Sequence, residues 1–124
     1  MFRFVYYLQL IRFGNLIIAC SVISLTFYLL DEKISYLTLL AINIIVSAMS
    51  LGYIINDIID VPNDLMNNKN NLLAKKKITY QESYVVALFF LIVLLFSSIY
   101  INYKAQVVLF FFILYFLFLY NFYL

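Results

Sequence analysis

The chain has 124 residues, of which 67% are hydrophobic and 11% charged, with a formal net charge of +2. A water-soluble domain of this size needs a much more polar surface, so the solvent is lipid. The small charge gives no footing for nucleic acid, the single cysteine, Cys20, excludes an internal disulfide, and the absence of histidine removes the commonest general base.

In lipid every backbone polar group is satisfied within the protein, so spans are helices or a closed barrel. The apolar runs are continuous rather than alternating, which selects helices, and crossing the hydrocarbon takes about 20 residues. Four spans follow in chain order: 14–30, 36–55, 84–101 and 107–124. The expected architecture is therefore an all-α, multi-span transmembrane bundle of about four helices. The first apolar block is long and lacks a small-residue cleavage site, so no cleaved signal is expected. Asp31, Glu32 and Lys33 make a short turn after the first span, and Asn102, Tyr103 and Lys104 another after the third. Turns this short imply antiparallel hairpins. Thr79 with Glu82 has the spacing of a capping box and predicts a helix start at Tyr80.

The remaining connection, 56–83, holds most of the polar residues. Arg3, Arg12, Lys69, Lys75, Lys76 and Lys77 fall on its side of the membrane, and Lys33 and Lys104 on the other. That asymmetry predicts a cytoplasmic N-terminus and a cytoplasmic motif loop 56–83. The residue bias towards Ile, Asn, Lys, Tyr and Phe suits a low-GC bacterial genome, hence a bacterial inner membrane.

Within that connection lies one dense polar island. Asn56, Asp60 and Asp64 recur every fourth residue, so on a helix they share a face within about 80°. Asp57 is about 100° round from Asn56. Stacked oxygen side chains at the end of an apolar helix suit a hard cation, and Mg²⁺ is usually held by one or two carboxylates plus phosphate and water. A solvated loop would carry the same acids, but Ile58 and Ile59 extend the apolar pattern through the island. Pro62 removes a backbone donor there and is expected to disturb the register of Asp64. Aromatic rings (12 Tyr, 13 Phe) are read mainly as packing and interface residues, and Cys20 as core filler.

The segment from Gly52 to Asp64 resembles the first aspartate-rich motif, N-D-x-x-D-x-x-x-D, of the UbiA superfamily of intramembrane prenyltransferases. Leu10-Ile11-Arg12-Phe13-Gly14-Asn15-Leu16 is similar to the family's opening I-R-x-x-N-L. Asn67, Ile78 and Thr79 keep step with its following loop, and Leu119-Tyr120-Asn121 with the close of its fourth helix. The run Gly-Tyr-Ile-Ile-Asn-Asp is nearest the geranylgeranylglycerol-phosphate geranylgeranyltransferase-like branch.

The resemblance implies the N-terminal half of a UbiA-type nine-helix bundle and Mg²⁺-dependent transfer of a prenyl group from its diphosphate to a lipid or aromatic acceptor. It assigns metal-binding and catalytic roles to Asn56, Asp60 and Asp64, and substrate binding to Arg12, Asn15, Asp57, Lys75, Lys76 and Tyr120. The lysine run has two readings, phosphate binding or a membrane-surface anchor, and Arg12 has a second as a residue snorkelling to the interface. This chain departs from the family pattern at its glycine position, here Lys75, and at its basic position, here Asn71. No Asp follows Asp64, so a second aspartate motif is lacking and a fragment or truncated copy is expected. The expected partners are a prenyl diphosphate, an unidentified acceptor and membrane lipid, with either the other half of the bundle or a second copy of the chain completing the site. Other classes consistent with the residues are a non-catalytic membrane subunit that binds a lipid diphosphate or a partner, and an oligomeric cation-handling protein.

Overall fold

A computed structural model describes residues 2–30, 35–67 and 70–115. These form six helices: α1 (Phe2–Leu10), α2 (Phe13–Leu29), α3 (Tyr36–Ile59), α4 (Val61–Met66), α5 (Tyr80–Ser98) and α6 (Tyr103–Leu114). Among the described residues there is no strand.

The helices begin where side chains can replace missing intrahelical partners. The Ser35 N–H donates to Thr38 Oγ1 (3.2 Å) at the start of α3. At the start of α5 the expected capping box is present: the Glu82 N–H donates to Thr79 Oγ1 (3.2 Å) and the Thr79 N–H to Glu82 Oε2 (2.9 Å). Asn102 caps α6 by accepting the Ala105 N–H at 2.9 Å.

α3 is the central element, packed most extensively against α5 and next against α2. Small residues are buried along both helices, Ser47 and Ser50 on α3 and Ser83, Ala87 and Ser97 on α5. In lipid, where the hydrophobic effect does not pull helices together, close approach of backbones over small residues supplies the association. Asn43 Nδ2 adds a cross-helix bond to Ser97 Oγ (2.9 Å). The outward faces of α2 and α5 carry Ile18, Val22, Leu25, Val85, Phe89 and Ile92 exposed, as suits contact with acyl chains. α3 and α5 are each long and apolar enough to cross a bilayer, and α1 with α2 forms a third, bent candidate. The chain is thus an integral membrane helical bundle.

Several boundaries differ from expectation. α5, which corresponds to the expected third span, starts at Tyr80 as its capping box predicts but ends at Ser98, short of the expected 101, because residues 99–101 form a turn that leads into α6. α6 is described as far as Leu114, and most of the rest of the expected fourth span lies outside the described residues. The segment expected to open the first helix is instead the joint between α1 and α2. Arg12 sits there with left-handed backbone angles (φ 51°, ψ 53°), and the two helices meet at 52°.

The connection 56–83 is also less loop-like than expected. α3 runs through Ile59, α4 follows at once, and Leu72, Leu73 and Ile78 are buried. Leu72 and Ile78 join Leu10 of α1 and Leu51 and Ile54 of α3 in one apolar cluster. These apolar residues fold the connection back over the end of α3.

Candidate functional site

The polar island lies at the C-terminal end of α3. Pro62 occupies the first turn of α4, where its missing N–H costs little. The backbone keeps its register across the junction, since the Asp60 N–H donates to the Asn56 carbonyl (2.9 Å) and the Asp64 N–H to the Asp60 carbonyl (2.8 Å). The expected swing of Asp64 away from its neighbours is thus confined to the side chains.

Those side chains divide into three sets. Asn56 Nδ2 donates to Asp60 Oδ2 at 2.8 Å. Arg12 Nη2 pairs with Asp57 Oδ1 at 3.1 Å, while its guanidinium carbon lies 4.7 Å from the Tyr53 ring centroid. Asn71 Nδ2 donates to Asp64 Oδ2 at 2.9 Å. Among the described residues no three Asp, Glu, His or Cys side chains gather as one metal cage.

What the fold does bring together is a polar cleft of about 510 Å³. It is lined by Gln9 and Arg12 from the end of α1 and the joint after it, by Asp57 of α3 and Asp64 of α4, and by Asn70, Asn71, Leu72, Lys75 and Lys77 of the following segment. Three cations face two carboxylates there, so a divalent ion on the carboxylates would leave a strongly positive cradle for a polyanion. A shallower groove of about 320 Å³, lined by Val5, Leu8, Phe13, Gly14 and Asn15, shares Gln9 and Arg12 with the cleft. Polar head and apolar tail of one ligand could thus lie side by side.

All the expected site residues except Tyr120 fall within the described residues. Arg12, Asp57, Asp64 and Lys75 line the cleft, whereas Asn56, Asp60 and Lys76 are not among the residues lining it. Arg12 does not simply snorkel: it is held between Asp57 and Tyr53. Asn15 borders the groove, and its Nδ2 donates to the Tyr53 hydroxyl at 3.3 Å. Tyr120 lies outside the described residues.

The lysine run turns on Lys76, whose φ of 53° is left-handed. That position lies one residue after the one the resemblance gives to glycine. The Lys76 and Lys77 N–H groups donate to the carbonyls of Leu73 and Leu72 (both 2.9 Å), closing the turn. The turn sends Lys75 and Lys77 to the cleft, and Lys77 Nζ rests 5.3 Å from the Tyr6 ring centroid. Lys75 Nζ is hydrogen-bonded to Asn70 Oδ1.

Sequence reasoning does not single out Gln9, and it quotes Tyr53 only as part of the segment Gly52–Asp64 without giving it a role. Lys77 enters it only within the lysine run, and a run of three lysines does not say which one turns inward.

Comparison with known proteins gives one informative likeness. The chain matches the solved structure of a digeranylgeranylglyceryl phosphate synthase, a membrane protein, with a TM-score of 0.82 and 30% sequence identity. The match covers 98% of this chain and 44% of that one, so this chain spans less than half of the neighbour's length. No protein-family model matches, and no curated protein matches either.

Proposed function

We propose, as the premise of a functional reading, that the chain carries part of the helical membrane bundle of the UbiA superfamily of prenyltransferases, a reading that the likeness to the synthase supports. On that premise it binds the diphosphate end of a prenyl donor in the cleft between α1, α3 and the 70–79 segment. It thereby forms one side of an intramembrane prenyl-transfer site. The neighbour's name points to a prenylated glyceryl phosphate as the class of acceptor lipid.

The observation that carries the reading is the juxtaposition of Asp57 and Asp64 with Arg12, Lys75 and Lys77 around one cleft. The donor set fits Mg²⁺, an ion commonly bound through one or two carboxylates and completed by substrate phosphates. Asp57 and Asp64 are the residues that would hold it, with the Asn56–Asp60 pair behind them on the same helical run. When bound, the ion supplies Lewis-acid stabilisation of the departing diphosphate. Arg12, Lys75 and Lys77 neutralise phosphate oxygens, and Arg12 presents a planar fork suited to them. The groove beside Arg12 accommodates the first isoprene units, and the bilayer receives the rest of the chain.

The test uses the full chain in lipid nanodiscs with geranylgeranyl diphosphate as the probe, and calorimetry as the readout. Mg²⁺-dependent binding is expected, weakened at least tenfold in Asp57→Asn and in Asp64→Asn. Wild-type protein that binds no probe in the presence of Mg²⁺, or undiminished binding by the double variant, would refute the reading.

A further inference from the structure

We infer that Asn71 is a positioning residue, whose side chain locks Asp64 and the end of α3 to the lysine-bearing turn and so sets the cation-binding geometry of the cleft. The inference rests on the proposed function, because the geometry it sets is that of the diphosphate site.

Asn71 is buried, with 7% of its surface exposed. Its amide nitrogen donates twice, to the carbonyl oxygen of Asp57 (2.8 Å) and to Asp64 Oδ2 (2.9 Å). Its Oδ1 accepts twice, from the N–H groups of Leu73 (2.9 Å) and Ala74 (3.3 Å). A carboxamide has two donor hydrogens and two acceptor lone pairs, so its capacity is fully used. The partners also fix which end is which: oxygens surround the nitrogen and N–H groups face the oxygen.

Two functions follow from that division. The oxygen end caps the turn beginning at Asn71, which is completed when the Lys75 N–H donates to the Asn71 carbonyl (3.0 Å). This turn carries Lys75 and Lys77 to the cleft. The nitrogen end holds one Asp64 oxygen and ties the turn to the backbone at Asp57, whose side chain lines the same cleft. Asn71 lines the cleft, but with its hydrogen-bonding capacity taken up by protein it has no donor or acceptor left for a ligand. It acts through Asp64 and through the distance between the carboxylates and the lysines.

A neutral, shorter residue separates the two ends. Asn71→Ser retains an oxygen that can cap the turn, since serine is about as good a cap as asparagine, but it cannot span to Asp64. Asn71→Ala loses both ends. Two readouts are taken on the full chain in nanodiscs: trypsin cleavage within Lys75–Lys77, and the Mg²⁺ concentration at half-maximal binding of saturating geranylgeranyl diphosphate.

The expected result for Asn71→Ser is cleavage within twofold of wild type and a Mg²⁺ midpoint raised at least tenfold. Maximal probe binding should return at saturating Mg²⁺, which a merely unfolded turn would not allow. Asn71→Ala should raise both cleavage and midpoint. The inference is overturned by an unchanged midpoint in Asn71→Ser, or by a raised midpoint accompanied by the cleavage seen for Asn71→Ala. Wild-type protein that binds no probe defeats the functional reading and this inference with it, whereas an unchanged Asn71→Ser midpoint defeats this inference alone.

Discussion

Arg12 combines a backbone cost with a side-chain gain at one position. A left-handed conformation costs a residue with a Cβ roughly 1–2 kcal/mol, and glycine escapes that cost. The guanidinium returns something through Asp57 and the Tyr53 ring, but its own side chain is 44% exposed, and an ion pair open to solvent on one side contributes about 0–1 kcal/mol. The conformation is therefore held for what it aims rather than for stability. Arg12→Gly and Arg12→Ala both remove the guanidinium, so both should weaken diphosphate binding. Only Arg12→Ala keeps the strained backbone, and it should be about 1 kcal/mol less stable than Arg12→Gly in thermal or denaturant unfolding. The reverse order would remove strain from the account. At this scale the sequence reveals residue types far better than directions. The every-fourth-residue spacing picks out Asn56, Asp60 and Asp64, yet of these only Asp64 lines the cleft, where Asp57 joins it. That Lys77 rather than Lys76 lines the cleft was not legible, because the left-handed turn at Lys76 has no glycine or asparagine to announce it.

Between elements, Glu82 is the tie that fastens α1 to α5. Its Oε2 closes the capping box with Thr79, and its Oε1 accepts from the Tyr7 hydroxyl (3.1 Å) and faces Arg3 Nη2 (3.2 Å). Thr79→Ala should remove the helix cap alone, at a cost of about 1 kcal/mol in unfolding free energy. Glu82→Ala should also release α1, so the amides of its second half, residues 6–11, should exchange faster with deuterium in that variant and stay protected in Thr79→Ala. Equal exchange in the two would mean that α1 is held only by its apolar contacts. The start of α5 could be read directly from Thr79 and Glu82, because capping is a local interaction between neighbours in sequence. The break between α1 and α2 could not, since no proline or glycine stands at Arg12 and the bend follows from long-range contacts with Tyr53 and Asp57. Pro62 misled in the opposite sense: it marks the junction of α3 and α4, yet the Asn56–Asp60–Asp64 backbone register passes through it.

For the whole molecule, the helix directions place the cleft at one end of the bundle. α3 runs towards it and α5 away from it, and the Tyr36 and Tyr100 rings meet edge to face (centroids 6.4 Å apart) at the far end. Arg3, Arg12 and Lys75–Lys77 therefore gather at the cleft end, while Lys104 stands beyond the end of α5. Cytoplasmic loops of membrane proteins are enriched in lysine and arginine, so the cleft should open to the cytoplasm. Cys20 is the single cysteine, and a Cys20→Ser background makes the orientation measurable. Met66 at the end of α4 and Tyr103 at the start of α6 are both strongly exposed, 77% and 78%, and stand at opposite ends. In intact cells a membrane-impermeant maleimide should label Tyr103→Cys, and it should label Met66→Cys only after permeabilisation. The opposite pattern would put the cleft on the outer face, away from the cytoplasmic pool of Mg²⁺ and soluble diphosphates. The orientation thus bears on the proposed function: with the cleft inward, a divalent cation and the charged head of a prenyl donor would arrive from water at the end of α3, and the prenyl chain would stay in the bilayer.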